Sequence, residues 1–187
     1  MLERSALRAA ALALLLTGCA GGRQAPSPVP SPTQSATSSP ASTYHFIGRG
    51  TATQPVKLVD LVAGQPVYVL KSTDVVYSTN IAKGVFRDDA IYFYRQGRVR
   101  LHLVAPVANV DMKTYDFVLS GGVHAVSAQG IILDCDTLRY SGRTQLLTAS
   151  GHVRATDAQG DVLTGDKAVA DLDLQQIHMT GDVGIGR

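Results

Sequence analysis

Residues 147–156 read LTASGHVRAT, and this stretch decides the fold of the 187-residue chain. Apolar or small side chains occupy its odd positions and polar side chains its even positions. An alternation with period two predicts a β-strand with one buried and one exposed face. Residues 99–105 and 177–185 alternate in the same way, and no long amphipathic helical pattern occurs after residue 43. The sequence therefore predicts an all-β domain.

The glycine inside this strand belongs to a repeat of 30 residues. Gly121, Gly151 and Gly181 are each followed two positions later by valine, and the Ala-Gln-Gly of residues 128–130 recurs at 158–160. A fixed period indicates a repeating unit, here two strands and two turns. Because glycine weakens a strand, its recurrence predicts a column where strands bend or layers come close. Two architectures fit, an open roll of antiparallel strands with an apolar interior or a narrow solenoid with a filled core.

The N-terminal segment predicts export and lipid attachment. Arg4 and Arg8 precede eight apolar residues at 9–16, whereas a membrane span needs roughly 20. The next residues, LTGC at 16–19, resemble the lipobox of bacterial lipoproteins, whose cysteine is diacylated. We therefore expect residues 1–18 to be a signal peptide and Cys19 to carry a lipid anchor. The alternative is an ordinary secretory signal that contains a cysteine.

A change of composition separates this segment from the domain. Residues 23–43 are rich in proline, serine and threonine, and Val29 is their only large aliphatic residue. Such a stretch has too little apolar surface to form a core. We expect residues 19–43 to be a disordered, flexible linker and residues 44–187 to form one domain.

Charge and cysteine content exclude several classes of function. After residues 1–18 the chain has 15 basic and 14 acidic residues, and its strongest basic run, RQGRVR at 95–100, fits a strand edge and turn. This pattern lacks the basic stripe of a nucleic-acid-binding protein. Once Cys19 is lipidated, Cys135 is the only thiol, so an internal disulfide is excluded. Cys135 alternates with aspartates and is expected to pack inward.

The sequence predicts no enzyme, cofactor or metal site. It contains no phosphate loop, HExxH motif or nucleophile elbow. The aspartates that could form a carboxylate pair are expected on solvated faces or turns. Most of the histidines fall at polar positions of the alternation, where they are expected to face solvent. These residues are Asp134, Asp136, Asp166, Asp171, Asp173, His102, His124, His152 and His178.

Four segments resemble the repeated signature of a known family. They read RLHLVAP at 100–106, FVLSGGV at 117–123, LDCDTLRY at 133–140 and LTASGHV at 147–153. They are similar to the lipopolysaccharide-export periplasmic proteins, the LptC/LptA or OstA-like family, over about residues 74–187. One domain behind a membrane anchor resembles the LptC branch. The resemblance implies an open antiparallel β-jellyroll with a V-shaped section and an apolar groove for lipid A acyl chains.

The resemblance also implies a function and partners. We expect the protein to receive lipopolysaccharide from an inner-membrane ABC transporter and to pass it to an LptA-like bridge protein, docked by edge-strand stacking at the regular terminal strand near residues 179–185. The resemblance implies a periplasmic protein and favours an anchor on the periplasmic face of the inner membrane, although Ala20 is compatible with the outer membrane. Strand alternation assigns twelve residues to the lipid-binding interior, namely Leu101, Leu103, Phe117, Leu119, Val123, Leu133, Leu147, Val153, Leu163, Ile177, Met179 and Val183. The alternative is a structural envelope lipoprotein with a filled β-solenoid and no lipid cargo.

Overall fold

The computed structural model describes residues 45–187, which form twelve β-strands. Predictions that concern residues 1–44, including the signal peptide, the lipid on Cys19 and the linker, lie outside this range. Within it, no helix is long and apolar enough to cross a membrane. The strands are β1 (His45–Arg49), β2 (Val56–Val62), β3 (Gln65–Ser72), β4 (Asp74–Ser78), β5 (Lys83–Arg95), β6 (Arg98–Asp111), β7 (Phe117–Ser127), β8 (Ile132–Ser141), β9 (Leu146–Thr156), β10 (Val162–Ala170), β11 (Ile177–Thr180) and β12 (Gly184–Gly186).

The strands form one antiparallel sheet, because most of them are joined to their neighbour by a short turn. The main order is β1-β4-β5-β6-β7-β8-β9-β10-β11. The long strand β5 pairs with β4 through residues 83–87 and with β3 through residues 90–93. At the other end of the sheet, β10 pairs with β9 and also with the short strands β11 and β12. The predicted all-β, antiparallel class is confirmed.

Side chains that cap the hairpin turns follow the 30-residue repeat. Ser127 and Asp157 accept hydrogen bonds from backbone amides two and four residues later. At the opposite end of the strands, Asp111 and Asp171 cap their turns in a similar way. Aspartate and serine stabilise such turns because their side-chain oxygens replace a backbone acceptor. The repeat therefore controls turn positions as well as strand faces.

The predicted glycine column is a row of β-bulges. Between the pairs Asp134–Arg154 and Thr137–Ser150, β8 contributes two residues and β9 contributes three. The extra length is taken up at Gly151 and His152, with φ of 75° and 47°. The register shifts similarly where β7 crosses residues 121 and 122. Because a bulge bends its strand and increases the twist, the row folds the sheet into two facing halves.

An aromatic cluster fills the space between the two halves at the β5–β8 end of the sheet. Phe93 lies on one side of the bulge row, and Phe117 and Tyr140 lie on the other. The Phe93 and Tyr140 ring centroids are 4.7 Å apart, and Tyr68 from β3 is 5.7 Å from Phe93 and from Phe117. All four side chains are at most 1% exposed. We call this region the packed end.

Candidate functional site

The twelve residues assigned to the interior separate into two groups. Leu163, Ile177 and Met179 are only partly buried against the core, and Val183 is 47% exposed. These four lie in β10 or after it, at the C-terminal edge of the sheet. The other eight are at most 3% exposed, namely Leu101, Leu103, Phe117, Leu119, Val123, Leu133, Leu147 and Val153. Within this set, exposure of more than 3% therefore occurs only at the C-terminal edge.

The prediction that Val183 lies inside a regular terminal strand is wrong. Val183 falls between β11 and β12, after a bend that includes Gly181 with a φ of 96°. Between the pairs Lys167–Thr180 and Thr164–Gly184, β10 contributes two residues and this segment three, so the bulge of the earlier repeats recurs here. Among residues 45–187 no further strand pairs beyond β11 and β12, which leaves the valine uncovered.

An apolar cavity of about 360 Å³ opens at this edge. Its polar rim contains Asp157, Asp161 and Gln175. Ile185 lines it and is 86% exposed. We call this cavity the C-terminal mouth, and its apolar walls include Ile131, Val162, Leu163, Leu174, Ile177 and Ile185. Such walls favour an alkyl chain because its transfer removes apolar surface from water.

Asp89 is an interior residue that the strand alternation did not predict. Asp88 adopts a left-handed conformation with a φ of 53°, so buried positions change from even numbers before it to odd numbers after it. Asp89 consequently points inward and is 3% exposed. Burial raises the pKa of its carboxyl group to about 7, the charge of Asp88 adds to the increase, and Ser72 and the backbone of Ala108 oppose it.

Asp173 corrects the expectation that the aspartates are simply solvated. Its side chain is 8% exposed and accepts hydrogen bonds from Arg100 Nε at 2.6 Å and Arg95 Nη1 at 3.1 Å. The hydrogen bond and the negative charge raise the pKa of Arg100. The basic run at 95–100 forms a strand edge and turn, as predicted, but two of its arginines also hold this buried carboxylate.

Two histidines form surface pairs with aspartates, His178 is exposed, and His102 is half-buried. His124 Nδ1 lies 2.6 Å from Asp134, and His152 Nδ1 lies 2.7 Å from Asp136. His102 corrects the expectation that the histidines face solvent, because it stacks on Tyr92 at 4.5 Å and its Nε2 is buried without a partner. Burial lowers the pKa of His102, and His124 and Lys71 act in the same direction. Residues 45–187 contain no group of three or more side chains arranged to hold a metal ion.

Cys135 packs inward as expected. Its side chain is 5% exposed, and burial raises the pKa of the thiol to about 11. A thiol is nucleophilic as the thiolate. The environment of Cys135 therefore suits packing rather than reactivity.

Comparison with known proteins is consistent with this geometry. A family model described as "Lipopolysaccharide-assembly, LptC-related" matches residues 10–185. The chain belongs to the LptC family. Proteins of the LptC/LptA group are periplasmic transport proteins that act with lipopolysaccharide, its transporter and bridge proteins. The predicted family is confirmed, and family membership makes this chain a component of lipopolysaccharide transport.

A solved structure supports the LptC-family fold. The crystal structure of LptH, the LptA-homologous periplasmic component of the lipopolysaccharide transport device of Pseudomonas aeruginosa, matches with a TM-score of 0.53 and 11% sequence identity. The match covers 64% of this chain and 94% of LptH. It confirms the expected β-jellyroll. No curated protein matches the chain.

Proposed function

We propose that this LptC-family protein holds lipid A acyl chains in its C-terminal mouth and hands the lipopolysaccharide from an inner-membrane ABC transporter to an LptA-like bridge protein. This transfer neither forms nor breaks a covalent bond. Each methylene that leaves water for an apolar site contributes about 0.8 kcal/mol, so an apolar surface along the route lowers the cost of moving an acyl chain through the periplasm.

The single observation that carries this proposal is the contrast in access along the interior. Leu163 and Ile177 line a cavity at the C-terminal edge, whereas Leu101, Leu133 and Leu147 are fully buried. A lipid therefore reaches apolar side chains at the mouth without displacing the packed end. This restricts the proposed binding site to a part of the predicted groove.

Photo-crosslinking in cells tests the lipid site. A benzophenone amino acid replaces Ile177 at the mouth, and Tyr115, which is 39% exposed in a turn, serves as the control. We expect a lipopolysaccharide adduct from position 177 and none from position 115. A lack of adducts from positions 163, 177 and 185 would contradict lipid binding at the mouth.

A structural envelope lipoprotein without lipid cargo is the second candidate. The complete burial of the packed end favours it, since Tyr68, Phe93, Phe117 and Tyr140 occupy the space that a groove would need. The two candidates differ in what copurifies with the protein. Lipopolysaccharide in detergent-free preparations supports transport, and its absence together with a lack of crosslinks supports the scaffold.

The proposed bridge contact uses the outer side of β11 and β12. Sheet edges offer unpaired backbone groups to a partner strand, and no strand among residues 45–187 covers this edge. Proline at Val183 removes an amide and is expected to abolish capture of an LptA-like partner. Proline at Ala158, in the turn between β9 and β10, is the control. Unchanged capture by a folded Val183→Pro variant would contradict this contact.

The proposed anchor is a lipid on Cys19, with the inner membrane favoured and the outer membrane possible because residue 20 is alanine. Stable anchoring by acylation needs two signals or chains, which a diacylated cysteine provides. A Cys19→Ala variant is expected to lose its lipid and to leave the membrane fraction. Metabolic labelling with a palmitate analogue, followed by separation of the two membranes, measures lipidation and location together.

A further inference from the structure

The loop between β10 and β11 is a built structure with its own internal hydrogen bonds. The Asp171 carboxylate accepts bonds from the amides of Gln175 and Gln176 at 2.9 and 3.1 Å. The Leu174 amide donates to the Asp171 carbonyl at 3.1 Å, and Leu174 has a φ of 55°. We call residues 171–176 the strap. Because these bonds lie within the strap, it can keep its shape when other contacts break.

One contact ties the strap across the roll. The end of β10 aligns through the neighbouring strands with the Gly84 end of β5. Asp173 follows β10, yet it binds Arg95 at the opposite end of β5 and Arg100 on β6. This contact is possible because the bulge row folds the two halves of the sheet together. We call this contact the Asp173 clamp, and it joins the two halves of the sheet.

The same strap forms a wall of the C-terminal mouth. Leu172 and Leu174 are 7% and 1% exposed, and Leu174 lines the cavity together with Leu163 and Ile177. Movement of the strap would remove this wall and uncover the apolar positions behind it. An alkyl chain that entered would then cover the apolar side chains that Leu174 had covered. The apolar area exposed to water would therefore stay small.

We propose that the strap gates the C-terminal mouth: while Asp173 binds Arg95 and Arg100, Leu174 walls off the apolar interior behind the cavity, and release of this clamp opens that interior to an alkyl chain. This inference rests on the proposed lipid site, whose regulation it describes. The clamp is suited to reversible opening because Arg95 and Arg100 are 57% and 29% exposed and can be hydrated on release. Loops generally open at a lower free energy than the paired strands that they connect.

The test measures how fast the full chain binds a fluorescent C12 fatty acid in stopped-flow mixing. Asp173→Asn weakens the clamp, and Arg100→Gln removes the 2.6 Å bond from Arg100, whose side chain is more exposed than that of Asp173. Asp74→Asn is the matched control, because Asp74 also pairs with an arginine, Arg49 at 3.7 Å, but does not line the mouth. Hydrogen exchange of residues 171–176 is measured on each variant.

We expect Asp173→Asn and Arg100→Gln to raise the association rate about fivefold or more, the factor that corresponds to a small change in a closed–open equilibrium, and to speed exchange in the strap. Asp74→Asn is expected to match the wild type in both measurements. If Asp173→Asn does not fold, Arg100→Gln decides the outcome. Wild-type rates in the folded clamp variants would overturn the gate and leave the lipid site standing. Failure of the wild type and all variants to bind the fatty acid would overturn both.

Discussion

The packed end and the C-terminal mouth are built from the same 30-residue unit, and they differ in what covers it. Val123, Val153 and Val183 occupy equivalent positions of three repeats. Their exposed fractions are 3%, 1% and 47%. The first two valines lie in strands paired on both sides, whereas the third belongs to the last segment of the sheet. Identical residues in one pattern thus become core or rim according to the number of neighbouring strands.

Side-chain size also changes along the repeat. Tyr140 at the packed end corresponds to Ala170 near the mouth, and Phe117 corresponds to Leu147 and then Ile177. Aromatic rings fill the space between the two halves at one end, and smaller side chains leave a cavity at the other. The mouth is therefore open for two reasons: its side chains are smaller than those at equivalent positions of the packed end, and no further strand pairs with the last segment of the sheet.

The largest expected effect is on the packed end. Phe117→Ala removes a ring that is 1% exposed and packs on Tyr68, Phe93 and Tyr140. We expect a loss of about 3–5 kcal/mol in the free energy of unfolding, typical of a buried phenylalanine. Ile177→Ala at the mouth should cost clearly less, since Ile177 is only partly buried. Urea denaturation measures both, and equal losses would contradict the proposed difference between the two ends.

A pH titration tests Asp89 in the interior. The pKa of its carboxyl group is raised from 3.8 to about 7 in the folded protein, so the folded chain keeps a proton that the unfolded chain releases. Stability should therefore fall as pH rises from about 4 to about 7, by up to roughly 4 kcal/mol, and then level off. Asp89→Asn should lack this decrease. Urea midpoints of both proteins between pH 4 and 8 measure it, and parallel curves would refute the assignment.

The bulge row can be tested with two glycines. Gly151→Ala places a Cβ in a left-handed conformation and against the Asp136 carboxylate, whereas a Cβ at Gly122 has the same backbone problem and meets no neighbour. We expect losses of about 2–4 kcal/mol for Gly151→Ala and about 1–2 kcal/mol for Gly122→Ala, because strain and overpacking add at the first site. Thermal unfolding measures the difference. A larger loss at Gly122 would show that contact with Asp136 is unimportant.

The smallest effect on stability is expected at the mouth. Ile185 is 86% exposed, so Ile185→Ser should change the free energy of unfolding by less than about 0.5 kcal/mol. The same variant should weaken binding of a C12 fatty acid, because the side chain borders the cavity. Calorimetry and equilibrium fluorescence measure the two quantities. A stable variant with unchanged fatty-acid binding would remove Ile185 from the lipid site.

Much of the fold could be predicted because its signals are local. The alternation at 147–156 appears as β9 with its odd side chains inward at both ends, and the glycine repeat appears as the bulge row. The inward position of Asp89 could not be predicted, because a single left-handed residue, Asp88, reverses the parity of the strand. The burial of Asp173 could not be predicted either, since its partners lie 73 and 78 residues away.

The sequence by itself determined the strand period, the 30-residue unit and the inward side of most strands, because each depends on residues a few positions apart. Only the tertiary structure decided which of these inward positions is closed and which is open. Leu133 and Leu163 are one repeat apart, and the first is fully buried while the second lines the mouth. Burial depends on the strands and side chains that face a residue across the folded sheet, and the bulge row and the end of the sheet bring those neighbours together or leave them out.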